Sequence, residues 1–248
     1  MELFKITTLM DNQITGEGLV AEHGLSLLIE ANNYKILFDA GQSDLFVKNA
    51  ETLNVKLDDV DFAILSHGHY DHTGGIPRFL EINKKAKVVY KDGLFSKRWN
   101  ATNEIGVRWD KLLVDNRSMV INKLTEIVPD VFVVTDINIH NEKDTHFKNL
   151  FVEKNGVKEM DTFSDELFIV VIKDKMINII TGCAHNGISN IVSTAKDLFP
   201  GMKINLVTGG FHLSKEIDEV KSFVLNELKE LGVTKIKPLH CSGELHWC

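Results

Sequence analysis

At 248 residues the chain has ample material for a buried core, as one large domain or two small ones. Its 28 Lys and Arg against 35 Asp and Glu leave a net charge of −7, which argues against nucleic acid as a partner. No stretch approaches the roughly 20 apolar residues of a membrane helix, the opening Met1-Glu2-Leu3-Phe4-Lys5 lacks a signal-peptide layout, and three cysteines are too few for a disulfide scaffold. The expectation is a cytoplasmic protein acting on a small molecule, with no membrane or nucleic-acid partner and with a homo-oligomer left open.

In chain order the pattern alternates strands and helices. Leu3 to Leu9 reads as a first strand, and 25–30 and 35–39 as two more joined by a turn at Asn32-Asn33. Asp44 to Leu53 has helical periodicity, Val60 to Leu65 is an apolar strand, Ile76 to Asn83 a short helix and Lys87 to Tyr90 a strand. From about 91 to 150 no period is stable. Strands return at 166–173 and 175–181, then a helix at 188–199, a strand at 203–208, a helix at 215–231 and a last strand at 235–239. There is no repeat and no Pro-, Gly- or Ser-rich linker. One α/β domain spanning 1–248, with an irregular, lid-like insert at about 91–150, is the simplest organisation.

The densest chemistry follows the strand at 60–65, in Ser66-His67-Gly68-His69-Tyr70-Asp71-His72-Thr73-Gly74-Gly75. Four metal-capable side chains fall within six residues, at the strand end where open α/β sheets place their chemistry. Residues two apart in extended chain point the same way, so His67 and His69 suit one ion. Asp71 and His72 come after the chain has begun to turn and suit a second. Imidazole favours zinc or iron, and a carboxylate tolerates manganese as well. Gly68, Gly74 and Gly75 are expected to let the backbone curl around the site.

Four residues in one loop cannot close two metal positions. Three later blocks, each at the end of an expected strand, offer more donors: Thr181-Gly182-Cys183-Ala184-His185, Gly209-Gly210-Phe211-His212-Leu213 and Leu239-His240-Cys241-Ser242-Gly243. Asp39, ending the strand at 35–39, reads either as an orienting partner for a ligand histidine or as a turn residue. His23 reads as a pocket or a surface residue, His140 and His146 as solvated, Cys241 as a small buried side chain and Cys248 as idle. Lys97, Arg98, Arg108 and Arg117 sit in the irregular segment. Arg98 or Arg108 there could clamp a phosphorylated substrate; a solvated face is the alternative.

The Ser66–Gly74 block resembles the His-x-His-x-Asp-His signature of the metallo-β-lactamase superfamily. The three later blocks are similar to the branch named 7,8-dihydropterin-6-methyl-4-(β-D-ribofuranosyl)aminobenzene-5′-phosphate synthase. The likeness runs from the first strand to the last block. It implies a four-layer αββα sandwich with one or two divalent ions at one edge, zinc foremost and iron or manganese as alternatives. It carries over directly to His67, His69, Asp71 and His72. Cys183 stands where the superfamily usually has a metal-bridging Asp, and the region 161–166 lacks the usual third histidine. His185 is the substitute. His240 is favoured over His212 as the last ligand, leaving His212 as a substrate contact or support.

The implied assignment is His67, His69 and His185 on one ion and Asp71, His72 and His240 on the other, with Asp71 and His212 as catalytic residues. The implied activity is metal-assisted hydrolysis of a phosphorylated or pterin-like small molecule, with water or substrate activated by the ions. The same site could instead serve the transferase named by the branch, an iron-dependent redox or oxygen-handling protein, or a binding module with a vestigial site.

Overall fold

The computed structural model describes residues 4–14 and 16–247. Leu3, at the start of the expected first strand, and Cys248 lie outside these. The elements in chain order are β1 (Phe4–Met10), β2 (Ser26–Ala31), β3 (Tyr34–Phe38), α1 (Leu45–Thr52), β4 (Phe62–Ile64), α2 (Tyr70–Thr73), α3 (Ile76–Ile82), β5 (Lys87–Tyr90), β6 (Arg98–Trp99) and β7 (Ser118–Val120). Then come β8 (Thr125–Val128), β9 (Val131–Val134), β10 (Phe151–Lys154), β11 (Val157–Met160), β12 (Phe168–Lys173), β13 (Met176–Thr181), α4 (Ile188–Leu198), β14 (Lys203–Gly210), α5 (Asp218–Glu230) and β15 (Ile236–Leu239).

Two six-stranded sheets carry the fold, in the orders β1-β2-β3-β4-β5-β7 and β15-β14-β13-β12-β9-β8. Alternation along the strands sorts their side chains into separate cores. Leu28 and Leu37 face outward against Phe46 and Ala50 of α1 and Phe79 of α3. Leu27, Ile29, Ile36 and Phe38, one position off, face Val131, Val133, Ile169 and Val171 of the other sheet. On the far side of that sheet, Val170 and Ile179 pack beneath Ile188, Ile191 and Val192 of α4 and Val224 and Leu228 of α5. The result is helix, sheet, sheet, helix: an αββα sandwich, as expected.

The β2–β3 turn falls at Asn32-Asn33, both with positive φ (50° and 66°), the type I′ geometry that suits a two-residue hairpin. Helix α5 begins at Asp218, later than the expected Lys215, with Asp218 and Glu219 in the first turn where the helix dipole favours acids.

The stretch 91–150 is irregular only in part. Within it β7 extends the first sheet alongside β5, and β8 and β9 form a hairpin that completes the second sheet against β12. β6 joins β10 and β11 in a separate three-stranded sheet. These strands span only two to four residues each, too short for a period to register in sequence.

Candidate metal centre

The first sheet runs parallel through β3, β4 and β5, and the second through β13, β14 and β15. Parallel pairing aligns carboxyl ends, so the loops after β3, β4, β13, β14 and β15 meet at one edge of the sandwich. They deliver Asp39, the His67–His72 loop, Cys183 with His185, His212 and His240. Among the described residues, four sets of donor atoms lie within 4.8 Å of one another: His67, Cys183 and His185; His72, Cys183 and His240; Cys183, His212 and Cys241; and His23, Asp71 and His240. Cys183 belongs to three of them.

Hydrogen bonds on the far side of each ring decide which nitrogen faces the cluster. The Ser66 hydroxyl donates its one proton to Asp39 Oδ2 at 2.7 Å, so at 2.9 Å from His67 Nδ1 it can only accept. His67 therefore carries its proton on Nδ1 and turns a bare Nε2 inward. His72 Nδ1 donates to Asp39 Oδ2 at 2.6 Å, and its Nε2 lies 3.1 Å from Cys183 Sγ. His240 Nδ1 donates to Asn12 Oδ1 at 2.7 Å, which leaves Nε2 facing Asp71 Oδ2 at 3.3 Å. The Nε2 atoms of His67, His69 and His185 are buried and, among the described residues, have no hydrogen-bond partner. Their rings lie together, with centroids 4.6 Å apart for His67–His69 and 5.0 Å for each of the others with His185. Phe163, in the region that lacks a histidine, stacks on His185 at 3.7 Å and holds its plane.

The electrostatics fit a cation. Burial holds His67 and His185 well below the ordinary imidazole range and brings His69 down to about 3, so these rings are neutral donors. Burial would also lower His72, but Asp39 and Asp71 overcome it and push that ring up to about 9. Burial would raise Asp71; the His72 charge and the hydrogen bonds of His23 and His240 reverse this and hold it well below the carboxylate range. Burial pushes the Cys183 thiol well up, so ligation requires a metal to displace its proton. Orphaned buried nitrogens, a low-lying carboxylate and a central sulfur together make a donor set able to hold a divalent metal ion.

Several side chains stand elsewhere than the sequence suggested. Arg98 is neither a free phosphate clamp nor part of a solvated face. It is 1% exposed and pairs with Asp161 (2.7 Å) and Asp165 (2.6 Å). Asp165 in turn accepts the Gly68 N–H at 2.8 Å, tying this ion cluster to the metal loop. Gly68, Gly74 and Gly75 are required for close approach rather than for curling. None has positive φ, and a Cβ on Gly68 would collide with the Leu94 carbonyl and the Arg98 guanidinium. His146 is buried, not solvated, between Asp144 and Glu216, with its ring 5.1 Å from His212. Arg108 is exposed and stacks on Tyr70 at 3.8 Å, beside the loop. Arg117 donates to the Asn83 carbonyl at 2.7 Å, away from the cluster. His23, exposed, reaches Asp71 Oδ2 at 3.1 Å. His212 sits 4.4 Å from the His185 ring and shares a donor set with Cys183 and Cys241. Asn12, Asp161, Asp165 and Glu166, whose carboxylate binds the His185 and Asn186 N–H groups, escaped the sequence reading.

Residues 19–155 match the family model described as the metallo-beta-lactamase superfamily. The chain belongs to that superfamily. A crystal structure described as a metal-dependent hydrolase of the β-lactamase superfamily superposes with a TM-score of 0.85 at 33% identity, covering 98% of this chain and 90% of that one. Two proteins of Methanocaldococcus jannaschii are similar over 90% of this chain. One, 33% identical over 85% of its own length, is uncharacterized; the other, 29% identical over 82%, is named 7,8-dihydropterin-6-methyl-4-(beta-D-ribofuranosyl)-aminobenzene-5′-phosphate synthase. Among the described residues of this superfamily member, no helix is long and apolar enough to cross a membrane.

Proposed function

We propose that the chain is a metal-dependent enzyme of hydrolase type that holds one or two divalent ions at this edge. In this reading His67, His69 and His185 hold the first ion, and Asp71, His72 and His240 the second, with Cys183 between. The observation that carries it is the set of buried, unpartnered Nε2 atoms of His67, His69 and His185 beside the His72–Cys183–His240 group. When bound, such ions polarise a carbonyl or phosphoryl oxygen and bring the pKa of water toward about 7.

The chain's own residues do the rest. Asp39 fixes the ring of His72 directly and that of His67 through Ser66, so both Nε2 atoms face the cluster before any ion arrives, and an ion binding His72 displaces the proton that Asp39 and Asp71 favour there. Asn12 does the same for His240. Asp71, held ionised, orients the attacking group by accepting a hydrogen bond from it, and exposed His23 at 3.1 Å links it to solvent. A cavity of about 260 Å³, lined by Lys91, Thr135, Phe163, Glu166 and Asn186 but by none of the proposed ligands, lies at Phe163, whose ring stacks on His185, and suits a small polar group of the substrate. His212 contacts the substrate or supports His185.

Elemental analysis of purified protein, with turnover of a panel of chromogenic phosphodiesters and carboxylic esters, tests this reading. Stoichiometric zinc, iron or manganese with metal-dependent hydrolysis is expected; a chain that binds none of the three would overturn it. The named synthase relative favours a second use of the same site, condensation of a pterin with a ribofuranosylaminobenzene phosphate. Formation of the joined product without release of a hydrolysed substrate would select it.

A further inference from the structure

The two cysteines of the described interior lie side by side. Cys183 Sγ and Cys241 Sγ are 3.5 Å apart, on loops separated by 58 residues of sequence. Both are buried. Gly210 lies between their loops: a Cβ there would come within 2.7 Å of Cys241 Sγ and 3.3 Å of Cys183 Cα. The bare backbone at Gly210 is therefore what lets the sulfurs approach. A disulfide has sulfurs about 2.05 Å apart, so closing the pair takes about 1.5 Å of movement, within reach of side-chain rotation. Cys241 also belongs to a donor set with Cys183 and His212, yet the proposed ligands of the two ions leave it unused.

We propose that Cys183 and Cys241 form a reversible oxidation site, which a peroxide closes into a disulfide that takes Cys183 away from the metal centre. The inference rests on the reading of Cys183 as a ligand for this consequence, but not for bond formation itself. One cysteine sulfur attacks the peroxide O–O bond and keeps one oxygen as sulfenic acid; the other oxygen leaves and, with a proton, becomes water. The second sulfur then attacks the first, and the sulfenic oxygen leaves as a second water. The two thiols lose two electrons, and one peroxide gains them. A dithiol reverses the bond by exchange. A sulfur engaged by an ion cannot crosslink, so loading with metal protects the pair and crosslinking lowers metal uptake.

The test treats the full chain, metal-free and zinc-loaded, with equimolar hydrogen peroxide, then counts thiols after denaturation and maps linked peptides by mass. Of three cysteines, joining two leaves one, so titratable thiols in the metal-free chain are expected to fall from three to one. A Cys183–Cys241 peptide pair should appear, dithiothreitol should restore three thiols, and zinc-loaded protein should resist. Cys241→Ser should give no such link. Persistence of three thiols, separate sulfinic acids, or a link through Cys248 instead would overturn the proposal. Zinc uptake measured on the crosslinked chain should fall by at least about tenfold. If the link forms and uptake is unchanged, the oxidation site stands and the reading of Cys183 as a ligand fails.

Discussion

Replacing Arg98 with Met keeps the length of the side chain and removes its charge. The guanidinium sits between two carboxylates, with Nε 2.7 Å from Asp161 Oδ2 and Nη2 2.6 Å from Asp165 Oδ1. Nη1 donates to the carbonyls of Gly93 and Leu94, each at 3.1 Å. The three side chains are 2%, 4% and 0% exposed, so water cannot replace the lost partner. Breaking a buried pair from one side costs about 3–5 kcal/mol, because the remaining charge is stranded. An exposed arginine contributes about 0–1 kcal/mol. Against a typical domain stability of about 5–15 kcal/mol, the first figure is a large fraction and the second is not. Asp165 also anchors the Gly68 N–H, so the metal loop should loosen together with the fold.

Urea unfolding of Arg98→Met and of the exposed control Arg108→Met, monitored by circular dichroism, separates the two cases. The expected loss is about 3–5 kcal/mol for the first and under about 1 kcal/mol for the second. Adding Asp165→Asn to Arg98→Met removes one stranded carboxylate, so the double variant should lose less than the sum of the singles. A loss below about 1 kcal/mol for Arg98→Met, or additivity in the double variant, would refute a buried ion cluster under the loop.

Substituting His67 and His69 together with Ala is expected to strip the first ion and abolish activity with the circular dichroism spectrum unchanged; full metal content by elemental analysis would count against the ligand set. Asp39→Asn leaves a side chain of the same shape but weakens its hold on His72, so metal affinity should fall by about 10–100-fold in a chelator competition. In metal-free protein, burial brings His69 from 6.5 down to about 3, so the unfolded chain binds the extra proton across that window and stability falls as pH drops from 6.5 toward 3. The stability difference between the metal-free wild type and His69→Gln should shift against the wild type over that range and be flat above it; a pH-independent difference in urea unfolding excludes a buried neutral ring. Cys183→Asp exchanges a soft donor for a hard one and should keep occupancy while moving preference from zinc toward manganese, whereas Cys183→Ser should lower occupancy of the second position. Metal content unaffected by Cys183→Ala would show that the sulfur is not a ligand.

What could be read from the sequence was what is local. The His67–His72 loop declares itself because its donors share six residues after an apolar strand. Cys183, His185 and His240 could be gathered only through a rule, that parallel strands bring their carboxyl ends to one edge. The partners that aim the rings follow no such rule. Asn12 lies 228 residues from His240, and Asp161 lies 63 from Arg98. An arginine in an irregular stretch looks the same in sequence whether it meets water or two buried carboxylates. His146 misled for the same reason: its polar neighbours Asp144 and Thr145 suggest solvent, but the chain folds that turn under the His212 loop. The strands β7, β8 and β9 were missed because runs of three or four residues are too short for alternation to register.

The backbone shows how a flat sheet edge becomes a converging cage. Most non-glycine residues with positive φ here are Asn or Asp in turns, where that conformation is cheap. Asp39 (58°), Phe163 (50°), Ala184 (54°), His212 (54°) and His240 (52°) are different: each lies in or beside the candidate centre, and Phe163 and Ala184 are not of a type that tolerates the geometry readily. Each such residue costs on the order of 1–3 kcal/mol. The left-handed residue breaks the strand's two-residue alternation at the point where β3, β14 or β15 ends, or just past β13. The side chains beyond it then turn across the edge instead of up or down the sandwich. Strain of this kind persists only where the surroundings over-determine it, and here they do: the Asp39 carboxylate accepts from Ser66 N–H, Ser66 Oγ and His72 Nδ1, and the backbone N–H of His240 donates to Asp11 at 2.7 Å. A divalent ion binding the gathered donors would favour this conformation further, since it binds the folded cage and not the extended chain. Metal affinity and fold stability are therefore expected to be linked most tightly at these left-handed residues, whose strain the rest of the sandwich must hold whether or not the ion is bound.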